Sequence, residues 1–231
     1  KGTSNSLSKR NRQKNNQMNI YLDHNATTPI DVEVRDCMLP YLNDYFGNPS
    51  SIHEQGVQTK KAIEKARKQV ADLLNCTPDE IIFTSGGTES NNYALKGTAF
   101  AREQKGNHII TSQIEHPAVT EVCKYLEKKN FQVTYLPVNK YGLINPSELK
   151  KAIKPETILI SIMHANNEIG TIQPIDQLAQ IAREHHIPFH TDAAQSCGKI
   201  PIDVKNTGID LLSVAGHKLY APKGIGVLYV K

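Results

Sequence analysis

From Met18 onward, short β-branched runs alternate with longer helical stretches, and this alternation restricts the chain to an α/β fold. Ile81–Thr84, His108–Ser112, Gln132–Leu136, Ile158–Met163, Pro188–Thr191, Leu211–Val214 and Gly226–Val230 are the expected strands. Gln55–Leu74 is expected as an amphipathic helix, since Val57, Ile63, Ala66, Val70, Leu73 and Leu74 fall largely at three- and four-residue steps. Thr88–Gln104, Pro117–Lys129, Pro146–Ile153 and Ile175–Glu184 are the further helices, several opened by a proline or a hydroxyl residue. Strand and helix repeated in this way predict a mostly parallel sheet of about seven strands with helices on both faces.

Such a sheet also predicts where chemistry sits, because ligands of open α/β sheets bind beyond the carboxyl ends of the strands. Every unusual motif in the chain follows an expected strand. They are Ser85-Gly86-Gly87-Thr88, Glu115-His116, His164-Ala165-Asn166-Asn167-Glu168, Asp192-Ala193-Ala194-Gln195 and Gly216-His217-Lys218. Five strand ends are therefore expected to converge on one edge.

Two of these residues form a chemical pair. Asp192 ends one apolar run and Lys218 follows the next, 26 positions later. Pyridoxal phosphate (PLP) needs such a pair: a lysine to hold its aldehyde as a Schiff base, and a carboxylate to keep the pyridine nitrogen protonated. Asp192 follows Ile187-Pro188-Phe189-His190-Thr191, and a carboxylate at the edge of a buried sheet is costly unless paired. An ammonium beside a protein core has a lowered pKa, which suits an imine-forming amine. Lys223, in the turn Pro222-Lys223-Gly224, is the competing lysine, expected to point to solvent.

The other motifs are less specific singly. Gly86-Gly87-Thr88 could bring amides at a helix N-terminus to a phosphate, or be a plain capping turn. His116 could lie flat on an aromatic ring and exchange protons, or be a structural histidine. Asn167 could be a ligand or part of a loop turn. Gln195 could donate to a cofactor's phenolic oxygen.

Composition narrows the class. At 39% hydrophobic and 22% charged the chain is an ordinary globular protein, and no apolar run is long enough to span a bilayer. Residues 1–17 hold Lys1, Lys9, Arg10, Arg12 and Lys14 and no acid, so the remainder has 22 basic and 23 acidic side chains. That near-neutral body gives no case for a nucleic-acid or membrane surface. The tail is expected to be a disordered or vector-derived extension; its basic, acid-free character leaves an organelle-targeting remnant open, although it lacks an apolar stripe. Cys37, Cys76, Cys123 and Cys197 show no C-x-x-C spacing and no clustered histidines, so no metal site is expected and a reduced, cytoplasmic compartment fits. Cys197 is expected as a small buried core residue.

Several segments together resemble the cysteine desulfurases: Tyr21-Leu22-Asp23-His24-Asn25-Ala26-Thr27-Thr28-Pro29, Phe46-Gly47-Asn48-Pro49-Ser50, Phe83-Thr84-Ser85-Gly86-Gly87-Thr88-Glu89-Ser90 and Asn166-Asn167-Glu168-Ile169-Gly170. Asp192-Ala193-Ala194-Gln195 and His217-Lys218, with Pro222-Lys223-Gly224 behind, complete the series in order from about Ile20 to Lys231. The resemblance implies the large domain of a fold-type I PLP-dependent transferase. It implies Lys218 as the Schiff-base lysine, Asp192 as partner of the pyridine nitrogen, and His116 as the ring-stacking acid/base. It implies Gln195 at the phenolic oxygen, Asn167 at cofactor or substrate, and Gly87, Thr88 and His217 at the phosphate. The family's reaction takes sulfur from L-cysteine, leaving L-alanine and an enzyme persulfide for iron–sulfur cluster assembly or tRNA thiolation. A homodimer and a scaffold or other sulfur-acceptor protein are the implied partners.

Three departures accompany the resemblance. Ala215 replaces a serine often seen as a phosphate ligand. None of the four cysteines matches the family's nucleophile, which lies well downstream of the lysine. The substrate-carboxylate arginine and most of the small domain also have no counterpart before Lys231. The expected organisation is a tail over 1–17, an N-terminal arm over 18–50 and a PLP-binding large domain over 51–231, without the C-terminal small domain. A related class V enzyme, either a selenocysteine lyase or an aminotransferase, and a non-catalytic fragment are the competing readings.

Overall fold

The structure, a computed structural model, describes residues 20–231; the expected tail over 1–17 lies outside them. Seven strands form one sheet: β1 (Ile81–Thr84), β2 (His108–Ser112), β3 (Gln132–Leu136), β4 (Thr157–Ser161), β5 (Phe189–Asp192), β6 (Leu211–Ala215) and β7 (Gly226–Val230). Their spatial order is β1-β7-β6-β5-β4-β2-β3. All neighbours are parallel except β7, which runs antiparallel to both β1 and β6. Since β1 and β6 each oppose β7, they run the same way, and all six remaining strands point their carboxyl ends to one edge.

The helices divide between the two faces. On one lie α2 (Glu54–Leu74), α5 (Pro146–Ala152) and α6 (Ile175–Glu184), whose Ala71, Leu74, Leu149, Leu178 and Ala182 pack on Ile110, Ile160, Leu212 and Tyr229. On the other, α3 (Gly87–Ala101) and α4 (Pro117–Glu127) place Ala94, Leu95, Val119 and Leu126 against Ile109, Leu159 and Leu228. Successive residues such as Ile109 and Ile110, or Leu159 and Ile160, serve opposite cores because strand side chains alternate. Both faces are covered, so the inner strands β2 and β4 are buried along their whole length.

The expected elements are present with shifted ends. The fourth strand covers Thr157–Ser161 rather than Ile158–Met163, and the fifth starts at Phe189, after Pro188, which has no N–H for a ladder. The helices expected to Gln104 and Lys129 stop at Ala101 and Glu127. Two further helices carry no periodic apolar signal: α1 (Val32–Asn43) and the single turn α7 (Val204–Thr207). α1 is capped by Asp31 but has no buried residue and contains Pro40. Cys197 is buried, as expected, and all four cysteines are free.

Candidate active site

One cavity of about 730 Å³ lies across the carboxyl ends of the strands. Gly87, Thr88, His116, Asn167, Asp192, Gln195, His217 and Lys218 all line it, so the eight residues singled out from the sequence meet in one place. Asn25, Ala26 and Thr27 of the N-terminal segment form another part of the wall.

Lys218 ends a single 3₁₀ turn, Gly216–Lys218, that directly continues β6. It is 8% exposed, and its amine makes no hydrogen bond or ion pair among the described residues. Burial pushes its pKa below the usual lysine range, against the opposing pull of Asp192. An amine so placed is more often neutral than a surface lysine and hence more nucleophilic. Lys223 also reaches the cavity but is exposed, at its mouth.

Asp192 ends β5 and is 6% exposed. Its Oδ1 accepts from the Ala194 N–H at 2.9 Å, and its Oδ2 accepts from Asn91 Nδ2 at 2.7 Å. The carboxylate is thus fixed in rotation from two elements.

His116 caps α4, its Nδ1 accepting from the Ala118 N–H at 3.0 Å. That bond leaves the proton of the neutral ring on Nε2. Burial lowers the His116 pKa, with Asp192 opposing and Lys218 reinforcing the shift. The preceding Glu115 is buried; its Oε1 accepts from Ser112 Oγ at 2.5 Å and from the Met163 N–H at 2.9 Å. Glu115 therefore joins the turn carrying His116 to the end of β4, from which Asn166 and Asn167 follow. Asn166 closes the joint from the other side, donating to the Ile114 carbonyl at 2.9 Å. Burial, with the Asp192 charge added, pushes the Glu115 carboxyl up to about 8.

The anion end of the cavity is built on close backbone approach. First-turn amides of α3 at Gly87 and Thr88 have no intrahelical acceptor, and the helix dipole favours negative charge there. A Cβ at Gly226 would lie 2.5 Å from the Gly86 carbonyl carbon, so only glycine lets β7 pass beneath this loop. Ala215 fills the space below Gly87, where a Cβ would meet its methyl at 3.0 Å. His217 offers a ring whose Nδ1 lies 3.1 Å from Thr27 Oγ1.

Two expected ligands already have protein partners. Gln195 Nε2 donates to the Asn25 carbonyl at 2.9 Å, and Asn167 Nδ2 donates to Glu168 Oε1 at 2.7 Å. Asn25 also donates to the Asn167 carbonyl at 3.3 Å, so the N-terminal segment bridges these two loops. Thr28 ties the same segment to the lysine turn: its N–H and Oγ1 each donate to the His217 carbonyl at 2.9 Å, and its Oγ1 accepts from the Tyr220 N–H at 2.9 Å. The sequence alone gives no role to Asn91, Glu115 or Gly226. The one signal for Asn91 is a polar residue one turn into a helix that packs on the sheet.

The family model for aminotransferase class-V matches residues 20–231. The chain belongs to this family. Among its relatives, "Cysteine desulfurase IscS" of Dictyoglomus turgidum is 58% identical over 212 residues, which is 92% of this chain and 54% of that protein. "Cysteine desulfurase, mitochondrial" of Drosophila melanogaster is 53% identical over 213 residues, covering 92% of this chain and 46% of the relative. The class-V chain thus spans about half the length of the curated relatives it matches. Solved structures agree in fold. "SspA in complex with cysteine" aligns with a TM-score of 0.89 at 50% identity, covering 91% of this chain and 60% of that one. A "NifS-like protein" aligns at 0.91 and 42% identity, covering 93% and 59%.

The residues present fit a phosphorylated aldehyde with a basic ring nitrogen. A buried amine and helix-terminal amides without partners among the described residues, and a carboxylate clamped at both oxygens, line the same cavity. Among the described residues no group of three or more His, Cys, Asp or Glu side chains could hold a metal ion.

Proposed function

We propose that this chain is the PLP-binding part of a cysteine desulfurase, acting on L-cysteine. The observation that carries the reading is Lys218: a buried amine at the end of β6, in one cavity with Asp192 and the amides of Gly87 and Thr88. The relatives named above supply the substrate class.

PLP, when bound, supplies an electron sink for bond breaking beside the amino group of its substrate. Lys218 would hold the aldehyde, and its buried amine, unpaired among the described residues, could carry a proton within the same cavity. Asp192 keeps the ring nitrogen protonated, and His116 offers Nε2 as the atom that exchanges a proton. Gly87, Thr88 and His217 hold the phosphate. Gln195 and Asn167 orient the ring from the wall that Asn25 braces.

The thiol that takes sulfur is assigned to the length of the relatives that this chain does not span. Burial pushes Cys76 and Cys197 up to about 11 and Cys123 up to about 12, the opposite of an activated nucleophile. Cys37 is exposed on α1 and does not line the cavity. A protein partner, whether a second copy of the chain or a sulfur acceptor serving iron–sulfur assembly or tRNA thiolation, is supported by the exposed apolar residues Leu42, Phe46 and Ile52. The free cysteines support a reducing, cytoplasmic compartment. No helix among the described residues is long and apolar enough to cross a membrane.

The test has two parts. PLP added to the protein should give the absorbance of a lysine-bound aldehyde, lost in Lys218→Ala. On a chain extended over the rest of the relatives' length, which supplies the sulfur-accepting thiol, L-cysteine should yield alanine with a persulfide, and thiol alkylation should stop it. Alanine formation that survives alkylation, or amino transfer to a keto acid, would instead favour another class-V activity.

A further inference from the structure

Asn91 stands three residues beyond Thr88 in α3 and is 1% exposed. While its Nδ2 donates to Asp192 Oδ2, its Oδ1 is buried without a hydrogen-bond partner among the described residues. A buried amide with an unpaired acceptor ordinarily finds a donor or turns over. Turning over here would set Oδ1 against a carboxylate oxygen, acceptor to acceptor. The amide is therefore held in its orientation by Asp192, and it holds Asp192 in return. The Ala194 N–H is the one other donor to that carboxylate among the described residues, at Oδ1.

We propose that Asn91 is a positioning residue that ties Asp192 to α3, so that one helix fixes both the phosphate end and the ring-nitrogen end of the cavity. The proposal rests on the PLP reading above. Three helical residues advance about 4.5 Å along the axis, which sets the offset between the Thr88 amide and the Asn91 donor. α3 packs across β5, β6 and β7, so that offset belongs to a rigid unit rather than to a loop. A ligand carrying an anion at one end and a protonated ring nitrogen at the other is thus measured by a single element. Without Asn91 the carboxylate would be steadied only by its own turn and free to rotate about its last bond.

Two variants test this with PLP itself. Asn91→Leu keeps the volume and removes the donor. Asn91→Asp keeps the shape but sets a second carboxyl beside Asp192, and two carboxylates in contact share a proton. PLP affinity is measured by titrating the apo protein, and the absorbance of the lysine-bound cofactor is followed across pH, with thermal unfolding alongside. Asn91→Leu is expected to weaken PLP about 10-fold, the value of a hydrogen bond to a charged group, and to move the pH at which the absorbance changes. Asn91→Asp is expected to add to the pH dependence of PLP affinity a titration step that the unaltered protein does not show. Unchanged affinity and unchanged pH profiles in both variants would reduce Asn91 to helix packing and overturn the proposal. If Asn91→Leu does not fold, Asn91→Asp alone decides it. An unaltered protein without Lys218-dependent absorbance is a different result, which overturns the PLP reading itself.

Discussion

Four histidines divide between the middle of the sheet and its carboxyl edge, and burial lowers the pKa of all four. Inside the sheet both ring nitrogens are engaged. His190 on β5 spans Ser161 on β4 at 2.8 Å and Ser213 on β6 at 3.0 Å. His108 on β2 spans Thr157 on β4 at 2.7 Å and Thr134 on β3 at 2.8 Å. At the edge, His116 and His217 each use only Nδ1 among the described residues and line the cavity. A pKa shift alone therefore does not separate a crossbar from a proton carrier. The number of ring nitrogens left for a ligand does.

The largest effect that would break this division is on activity. His116→Ala is expected to lower L-cysteine turnover by the PLP-loaded chain, extended over the rest of the relatives' length, about 1000-fold, the range for a lost general acid–base group. Its unfolding free energy should fall by only about 1 kcal/mol, the worth of a helix cap. Steady-state kinetics beside urea denaturation measures both. Should stability fall as far as activity, His116 belongs with the crossbars.

Next in size is His190→Ala. It leaves two buried serine hydroxyls unpaired in mid-sheet and should cost about 3 kcal/mol of stability. The same substitution at His108, at the start of its strand, should cost about 2 kcal/mol. A shift of the urea midpoint without a change in PLP affinity is the expected signature for both.

The pH dependence of stability gives a smaller effect with a definite sign. His190 is lowered to about 3 and His108 to about 4, from an ordinary 6.5. Below 6.5 the unfolded chain takes up protons that the native sheet refuses, so both rings draw stability down as pH falls toward those values. Glu115 works in the other direction: raised from 4.5 to about 8, it keeps its proton when folded, and its contribution is lost as pH rises through that range. Urea denaturation across pH should show stability rising from about pH 3 to 6.5 through the crossbars and falling from about pH 4.5 to 8 through Glu115. Glu115→Gln should remove the fall, most visibly between about pH 6.5 and 8, where the two crossbars no longer titrate. An unaltered slope there would show that Glu115 is not its source.

Much of this arrangement was legible because the sequence signals are local. All seven strands are β-branched or apolar runs bounded by turn residues, and each cavity motif directly follows one. The convergence of Gly87, Thr88, His116, Asn167, Asp192, Gln195, His217 and Lys218 follows from that rule without knowledge of strand order. What escaped was non-local or lacked periodicity. The reversed direction of β7 depends on pairing with β1 and β6, which no pattern within Gly226–Val230 records. α1 buries nothing and contains Pro40, so no apolar stripe announces it. Asn91 bonds a residue 101 positions away, and Gln195 one 170 positions away.

The bonds from Thr28 to His217 and Tyr220 join residues 189 and 192 positions apart. A ribosome delivers Tyr220 nearly two hundred residues after Thr28. The strand β1 waits as well, because its sheet neighbour is β7, with Ile81 opposite Tyr229. On a nascent chain, then, the middle strands can pair while β1 still lacks its partner, and such unpaired edges are where growing chains aggregate. The cavity acquires its N-terminal wall and its Gly87-Thr88 loop only once the chain from His217 to β7 has been made, so a cofactor that prefers the closed site would act on the newly made protein as a folding aid before it takes part in any reaction.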